Sequence, residues 1–331
     1  MKKLISILLC ALMLLSAVSF VGCGKPALKM GLGVYTSTPS VTDATEDQNG
    51  KGNVVITAAV ITVDAKGKVV ACQLDTADPT VNFTAEGKAV ASTEFKTKYE
   101  QGKDYNMVAY GGAAKEWFEQ ADTFETFVVG KTLDEIKAAV AEGNKGNADV
   151  VAAGCTIKID EFVGAIEKAF ANLTDSAATA ASTLKLGMNV EQTTADATEE
   201  KNGSNQVETT IFAAAVDANG KVLTAASDCV QVKFTFNATG ASTLDTTKAI
   251  ASKREAGADY NMSKYGQDLN GDEVVKEWFE QADAFNALCV GKTATEIKAL
   301  CAADNYGTEA VQNAGCTILV NGLTKAAAKI G

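Results

Sequence analysis

Lys115-Glu-Trp-Phe-Glu-Gln-Ala-Asp122 returns letter for letter as Lys276-Glu-Trp-Phe-Glu-Gln-Ala-Asp283. An octapeptide with this composition does not recur by chance, and the flanking sequence matches as well. Upstream, Asp43-Ala-Thr-Glu-Asp-Gln-Asn-Gly50 pairs with Asp196-Ala-Thr-Glu-Glu-Lys-Asn-Gly203, and Val63-Asp-Ala-Lys-Gly-Lys-Val69 with Val216-Asp-Ala-Asn-Gly-Lys-Val222. Asp104-Tyr-Asn-Met107 pairs with Asp259-Tyr-Asn-Met262. Downstream, Val129-Gly-Lys-Thr132 pairs with Val290–Thr293, and Ala153-Gly-Cys-Thr-Ile157 with Ala314–Ile318. The order is kept and the spacing widens in the second copy through an insertion at Gln267–Val275. A repeat of this length is a duplicated domain, not a solenoid unit. The expected division is residues 30–173 and 184–331, with the Asp/Ser/Ala/Thr-rich segment 174–183 as linker.

Within each copy the pattern runs from strands to helices. Val54–Val63 and Lys68–Leu74 are β-rich and meet at the turn Asp64-Ala-Lys-Gly67; the second copy repeats this around Asp217-Ala-Asn-Gly220. Shorter strands are expected over Gly31–Ser37, Val81–Phe83 and Glu94–Lys98. Trp117, Ala121, Phe124 and Val128 then fall on one helical stripe. Thr132 with Glu135, and Thr293 with Glu296, have the spacing of capping boxes. A last helix is expected to start with Asp160 or Asn321 as N-cap. The reading is an α+β fold: two tandem copies of an antiparallel sheet packed with C-terminal helices.

The amino terminus has a different character. Lys2 and Lys3 precede the apolar run Leu4–Val18, and Gly22 stands before Cys23. This is the pattern of a signal peptide over residues 1–22, with Cys23 as the acylated first residue and 23–29 as a lipidated tether. Two acyl chains suffice for stable anchoring, which places the protein outside the cytoplasm on a cell membrane. The net charge of −11 repels phosphate backbones and argues against nucleic-acid partners. There is no histidine, which removes Ser-His-Asp triads and nearly all zinc enzymes. Asp268–Asp272 begins like a calcium loop, but Phe279 stands where the twelfth-position glutamate belongs. The acidic loops 43–50 and 196–203 are read either as calcium loops or as solvated turns.

Two stretches carry candidate chemistry. In 102–111 and 257–266, Tyr105 and Tyr260, with Tyr110 and with Trp117 and Trp278 beyond, are placed to stack on a planar ring, and Asn106 to bond its edge. The bland alternative is a structural loop with buried ring faces. The second stretch, Ala-Gly-Cys-Thr-Ile just ahead of the last helix, resembles a motif of the FMN-binding domains of bacterial surface lipoproteins, the major membrane immunogen type and extracellular electron-transfer flavoproteins among them. In that family Asp-x-x-Ser-Gly-Ala-Thr precedes the last helix, and a flavin transferase esterifies its threonine with the phosphate of FMN. The resemblance puts that threonine at Thr156 and Thr317 and the glycine at Gly154 and Gly315. Ala153 and Ala314 replace the serine, Cys155 and Cys316 the alanine, and Val150 and Val311 the acid, with Asp149 and Glu309 nearby. It implies FMN as cofactor, a flavin transferase and a membrane redox partner, and a redox carrier rather than a turnover enzyme. The other readings are a lipoprotein that binds a small ligand or protein partner, or a structural surface antigen.

Cys289 and Cys301 stand where the first copy has Val128 and Val140. Two valines changed together to cysteine on facing helical stripes point to a disulfide, with two buried thiols as the alternative.

Overall fold

The computed structural model describes residues 28–92, 94–265 and 276–331. The signal-peptide and Cys23 readings, and the insertion at 267–275, lie outside the described residues.

The first copy contributes β1 (Lys29–Thr36), β2 (Ser40–Thr42), β3 (Gly50–Asn53), β4 (Ile56–Val63), β5 (Val69–Ala77), β6 (Thr80–Phe83) and β7 (Ala89–Val90). Then follow α1 (Lys98–Gln101), α2 (Trp117–Val128), α3 (Leu133–Lys137), α4 (Ala148–Ala153) and α5 (Asp160–Ala171), with β8 (Thr174–Asp175) in the connecting segment. The second copy has three long strands, β9 (Thr183–Ala195), β10 (Gly203–Val216) and β11 (Val222–Phe236). Its helices are α6 (Lys253–Ala256), α7 (Met262–Tyr265), α8 (Trp278–Cys289), α9 (Ala294–Lys298), α10 (Glu309–Asn313) and α11 (Asn321–Ala328). The α+β class holds: all ladders between strands are antiparallel, ordered β5-β4-β1-β8, β2-β3-β6-β7 and β11-β10-β9.

The hairpin turns form as the sequence predicts. Asp64 Oδ1 accepts from the N–H groups of Lys66 and Lys68, and Asp217 Oδ1 from those of Asn219 and Lys221. Both Thr-x-x-Glu capping boxes are present at α3 and α9. The expected strand over 94–98 is not formed. Thr97 instead caps α1, its hydroxyl accepting from Glu100 N–H, and a capping side chain favours a helix start over a ladder. Asp160 and Asn321 are the first helical residues, with Ile159 and Val320 at the N-cap.

The copies differ most in strand length. β9, β10 and β11 each run unbroken where the first copy has β1 with β2, β3 with β4, and β5 with β6. Pro39 and Pro79 sit at two of these breaks, and Gln192 and Val232 replace them in the continuous strands. Proline has no N–H to give a ladder, so a long strand divides there.

Helices cover one face of each main sheet, and the other face of each sheet turns inward onto the opposite copy. Met30, Leu32, Val34, Ile56, Ala58 and Val60 share one hydrophobic cluster with Leu186, Met188, Ile211, Ala213, Val230 and Val232. The repeat boundaries seen in the sequence therefore do not bound the core. Even the connecting segment joins it: Thr174 and Asp175 pair with β1, and Ala178 is buried. The helical layers are separate clusters, built around Phe124 and Ile166 in the first copy and Phe285 and Leu323 in the second. On the first sheet α5 lies so close that a Cβ on Gly33 would fall 2.1 Å from the Ala165 carbonyl oxygen.

The two copies are related by an approximate twofold, and contacts across it come in reciprocal pairs. Ala44 N–H donates to Gly240 O at 2.8 Å, and Ala197 N–H to Gly87 O at 2.8 Å. Asp43 Oδ1 accepts from Ser242 N–H at 2.7 Å, and Asp196 Oδ1 from Ala89 N–H at 3.0 Å. Lys168 pairs with Glu255 at 2.5 Å, and Lys329 with Glu100 at 2.6 Å. Phe83 and Phe236 stack on each other with centroids 4.5 Å apart. This is the pattern of an isologous dimer interface carried within one chain.

Candidate functional site

The Ala-Gly-Cys-Thr turn is built identically in both copies. Gly154, at φ 109°, and Gly315, at φ 93°, turn the chain out of α4 and α10 in a left-handed conformation open to glycine. The next side chains, Cys155 and Cys316, point inward and are fully buried. Burial pushes both thiols up to about 11, so neither is a thiolate nucleophile at neutral pH. The following residue faces outward. Thr156 donates its N–H (2.8 Å) and its hydroxyl (3.0 Å) to Gln120 Oε1, and Thr317 does the same to Gln281 at 2.9 and 3.2 Å. Both glutamines are buried and donate from Nε2 to the carbonyls of Lys115 and Lys276. The lysine ammonium stands over the turn: a Cβ on Gly154 would lie 2.6 Å from Lys115 Nζ, and one on Gly315 2.3 Å from Lys276 Nζ. Each copy thus presents a threonine oxygen at its surface, with the hydroxyl proton drawn inward and a cation alongside.

The tyrosine loop is fastened to the same glutamine. Asn106 and Asn261 adopt left-handed backbone at φ 58° and 59°, and their side-chain amides donate to Asp104 O and Asp259 O. Asn106 is thereby committed to the turn. Met107 N–H donates to Glu116 Oε2, and Gln120 Nε2 approaches Met107 Sδ at 3.5 Å. Trp117 and Trp278 are each 4% exposed. The face of Tyr105 is covered by Lys98 Nζ at 5.2 Å and that of Trp117 at 5.8 Å; Lys253 covers Tyr260 and Trp278 at 5.3 and 5.6 Å. Trp117 also takes Phe162 edge-on at 5.7 Å. These rings form walls around a sequestered lysine.

That lysine keeps a carboxylate by different routes. Lys98 pairs with Asp78 at 3.6 Å, and Lys253 with Glu208 at 3.3 Å. Glu208 is the cross-strand neighbour of Gln231, which occupies the position of Asp78 and donates to Glu208 at 2.8 Å. The acid has moved across the ladder and the pair survives, because a buried ammonium without a partner is costly. Beside it lies a cavity of about 270 Å³ in the first copy, between Lys98, Met107, Trp117, Ile157 and Glu161. Its counterpart of about 320 Å³ lies between Glu208, Trp278, Leu319, Asn321 and Gly322. Burial pushes Glu161 up, and Thr57 donates to it at 3.4 Å; the second copy has Gly322 in its place.

Two expectations need revision or sharpening. Cys289 and Cys301 are free thiols, as are Cys72, Cys155, Cys229 and Cys316. Cys289 is buried in the helical layer, and Cys301, half-buried at the edge of the same layer, donates its thiol to Ala302 O at 3.5 Å. Denatured protein alkylated with and without reductant is therefore expected to run identically on a gel; a shift would show a disulfide. The acidic loops are solvated turns, mostly exposed, whose leading residues Asp43 and Asp196 also bind the opposite copy's backbone. Among the described residues no group of three or more acids or thiols is arranged to hold a metal. Gln120, Gln281, Lys98 and Lys253 were not singled out from sequence. The glutamines lay within the unchanged octapeptide, and the lysines follow the cap residues Thr97 and Ser252. No family model, curated protein or solved structure matches the chain.

Proposed function

We propose that this chain is an exported, membrane-anchored electron carrier holding one FMN per copy through its phosphate on Thr156 and Thr317. The observation that carries the reading is the threonine, glutamine and lysine arrangement, kept in both copies while neighbouring positions diverged. The residues fit the phosphate end of the group: an outward hydroxyl oxygen, a nearby ammonium to balance the charge, and a glycine leaving room. The family motif is altered at three positions: Cys155, Cys316, Val150 and Val311 are buried, away from the face a transferase would meet, whereas Ala153 and Ala314, in place of the serine, are exposed. The bound isoalloxazine supplies the redox chemistry, and the protein supplies its placement. Gln120 and Gln281 orient the threonine oxygen, and Lys115 and Lys276 offset the phosphate charge. The absence of histidine from the whole chain agrees with a carrier that runs no general-base step of its own.

Co-expression with a flavin transferase is expected to give yellow protein with the mass of two added FMN groups. Thr156→Ala and Thr317→Ala are each expected to remove one. Colourless protein with the mass of the bare chain overturns the reading. Anchoring is tested separately: Cys23→Ser is expected to move the protein from the membrane fraction to the soluble one, and retention would count against lipidation there.

A second reading is favoured by the retained Lys98 and Lys253 pairs beside their cavities: a non-covalent site for a small ligand. Stabilisation of flavin-free protein by small anions or zwitterions, and not by FMN or riboflavin, would favour it.

A further inference from the structure

The groove between the two main sheets occurs twice, once on each side of the twofold. On one side Ala226 and Arg254 face Met30 and Leu32 of β1; on the other Gln73 and Tyr99 face Lys185 and Leu186 of β9. The ladders make the edges equivalent, with Thr183, Leu184 and Leu186 at the positions of Lys29, Met30 and Leu32. The first groove is filled by the connecting segment. Thr174 and Asp175 add a short antiparallel strand to β1, and Asp175 stands opposite Lys29 with the charged groups 3.8 Å apart. Asn172 Nδ2 donates to Leu32 O at 2.9 Å, Ser176 donates to Leu28 O from its N–H (3.2 Å) and its hydroxyl (2.7 Å), and Ala178 enters the core.

No strand fills the second groove among the described residues. β9 is the outermost strand of its sheet, and the residues after α11 stay with the helical layer, Ile330 buried there and Gly331 against Ala294. A cavity of about 230 Å³ follows the edge. On its walls Gln73 Oε1 is buried without a partner, and the half-buried Lys185 has no ion pair among the described residues. Lys185 stands at the position of Gly31. A Cβ on Gly31 would lie 2.0 Å from Ala169 O and 3.2 Å from Leu173 Cδ2, so the filling segment passes directly over that place. The second copy has put a cation there. An open sheet edge is a template for an added strand. We infer that the β9 edge over Thr183–Leu186 takes up an extended acidic segment of a partner protein. Its backbone pairs with β9 as β8 pairs with β1, and a carboxylate in the place of Leu173 meets Lys185. The inference does not rest on the flavin reading.

The probe is a labelled peptide of residues 172–178 carrying Leu173→Glu, added to the full chain. Fluorescence anisotropy is expected to show saturable binding, and amide hydrogen exchange in the protein to slow over Thr183–Leu186. In Lys185→Glu the binding is expected to weaken about tenfold or more, and a peptide carrying Leu173→Lys to bind that variant better than the parent. The reversal separates a charge contact from a fold damaged by the substitution. A peptide that fails to bind, or that binds the parent and Lys185→Glu equally, overturns the inference. So does a chain that sediments as a dimer with the same amides protected, because a second copy then covers the edge.

Discussion

At pH 8, Glu125→Gln is expected to be more stable than the parent by about 2 kcal/mol, and the advantage is expected to vanish below about pH 4. The cause is a pair of acids sunk into the first copy. Burial pushes Glu125 up to about 8, with Asp122 and Asp75 nearby adding to it and the Leu74 N–H, at 2.7 Å, holding it down. Burial likewise pushes Asp75 up to about 7 against the N–H groups of Thr76 and Tyr99. In the folded chain both keep their protons over a range where unfolded carboxyls have lost theirs. Unfolding then releases protons, so stability falls as pH rises from about 4 toward about 8. Glutamine keeps an acceptor for Leu74 and has no proton to lose, so the curve flattens. The shift alone implies a larger gain, reduced here because solvent still reaches part of the side chain. The second copy also lacks an acid here: Asn286 stands at the position of Glu125, and Arg254 at that of Tyr99 pairs with Asp283 at 2.7 Å. Urea midpoints between pH 4 and 8 check this. A parent whose stability is flat over that window, or a variant weaker at pH 8, would contradict it.

The second large effect concerns the joint between the copies. Phe83→Ala and Phe236→Ala are each expected to cost about 3–5 kcal/mol. The two rings lie parallel within 3° and both are fully buried, so removing one leaves a void lined by the other. Because one cluster spans both sheets, the parent is expected to unfold in a single cooperative transition despite its two repeats. Either substitution is expected to lower that transition as a whole. Two resolved transitions in calorimetry, with Phe83→Ala moving only the first, would show that the copies are independent bodies.

The sequence was a good guide wherever a local rule governs the outcome. The Asp-x-x-Gly hairpins, the Thr-x-x-Glu caps and the Trp117 stripe are decided by contacts within a few residues. The duplication needed only comparison of the chain with itself. The α+β class followed from the change of period from strands to helices. The Gly154 and Gly315 turns occur where the repeated block places them, with Thr156 exposed and Thr317 half-exposed beyond them.

What could not be read depends on the approach of residues far apart in the chain. Asp43 lies in a solvated loop, but its contact with the Ser242 N–H could not be read, because that group comes from the other copy 199 residues away. Cys289 and Cys301 share helical stripes by periodicity, yet α9 ends at Lys298 and Cys301 lies beyond it, in a bridge with Gly307, a pairing that periodicity does not reveal. The lysine under Trp117 was hidden because a cation over a ring leaves no spacing signature. The opening octapeptide was enough by itself to establish two copies of one unit. Only the tertiary structure decided that the two units are one body, because alternating strands have an inward face whatever they pack against. The sequence specifies that such a face must be covered, and the chain's geometry determines that each sheet covers the other.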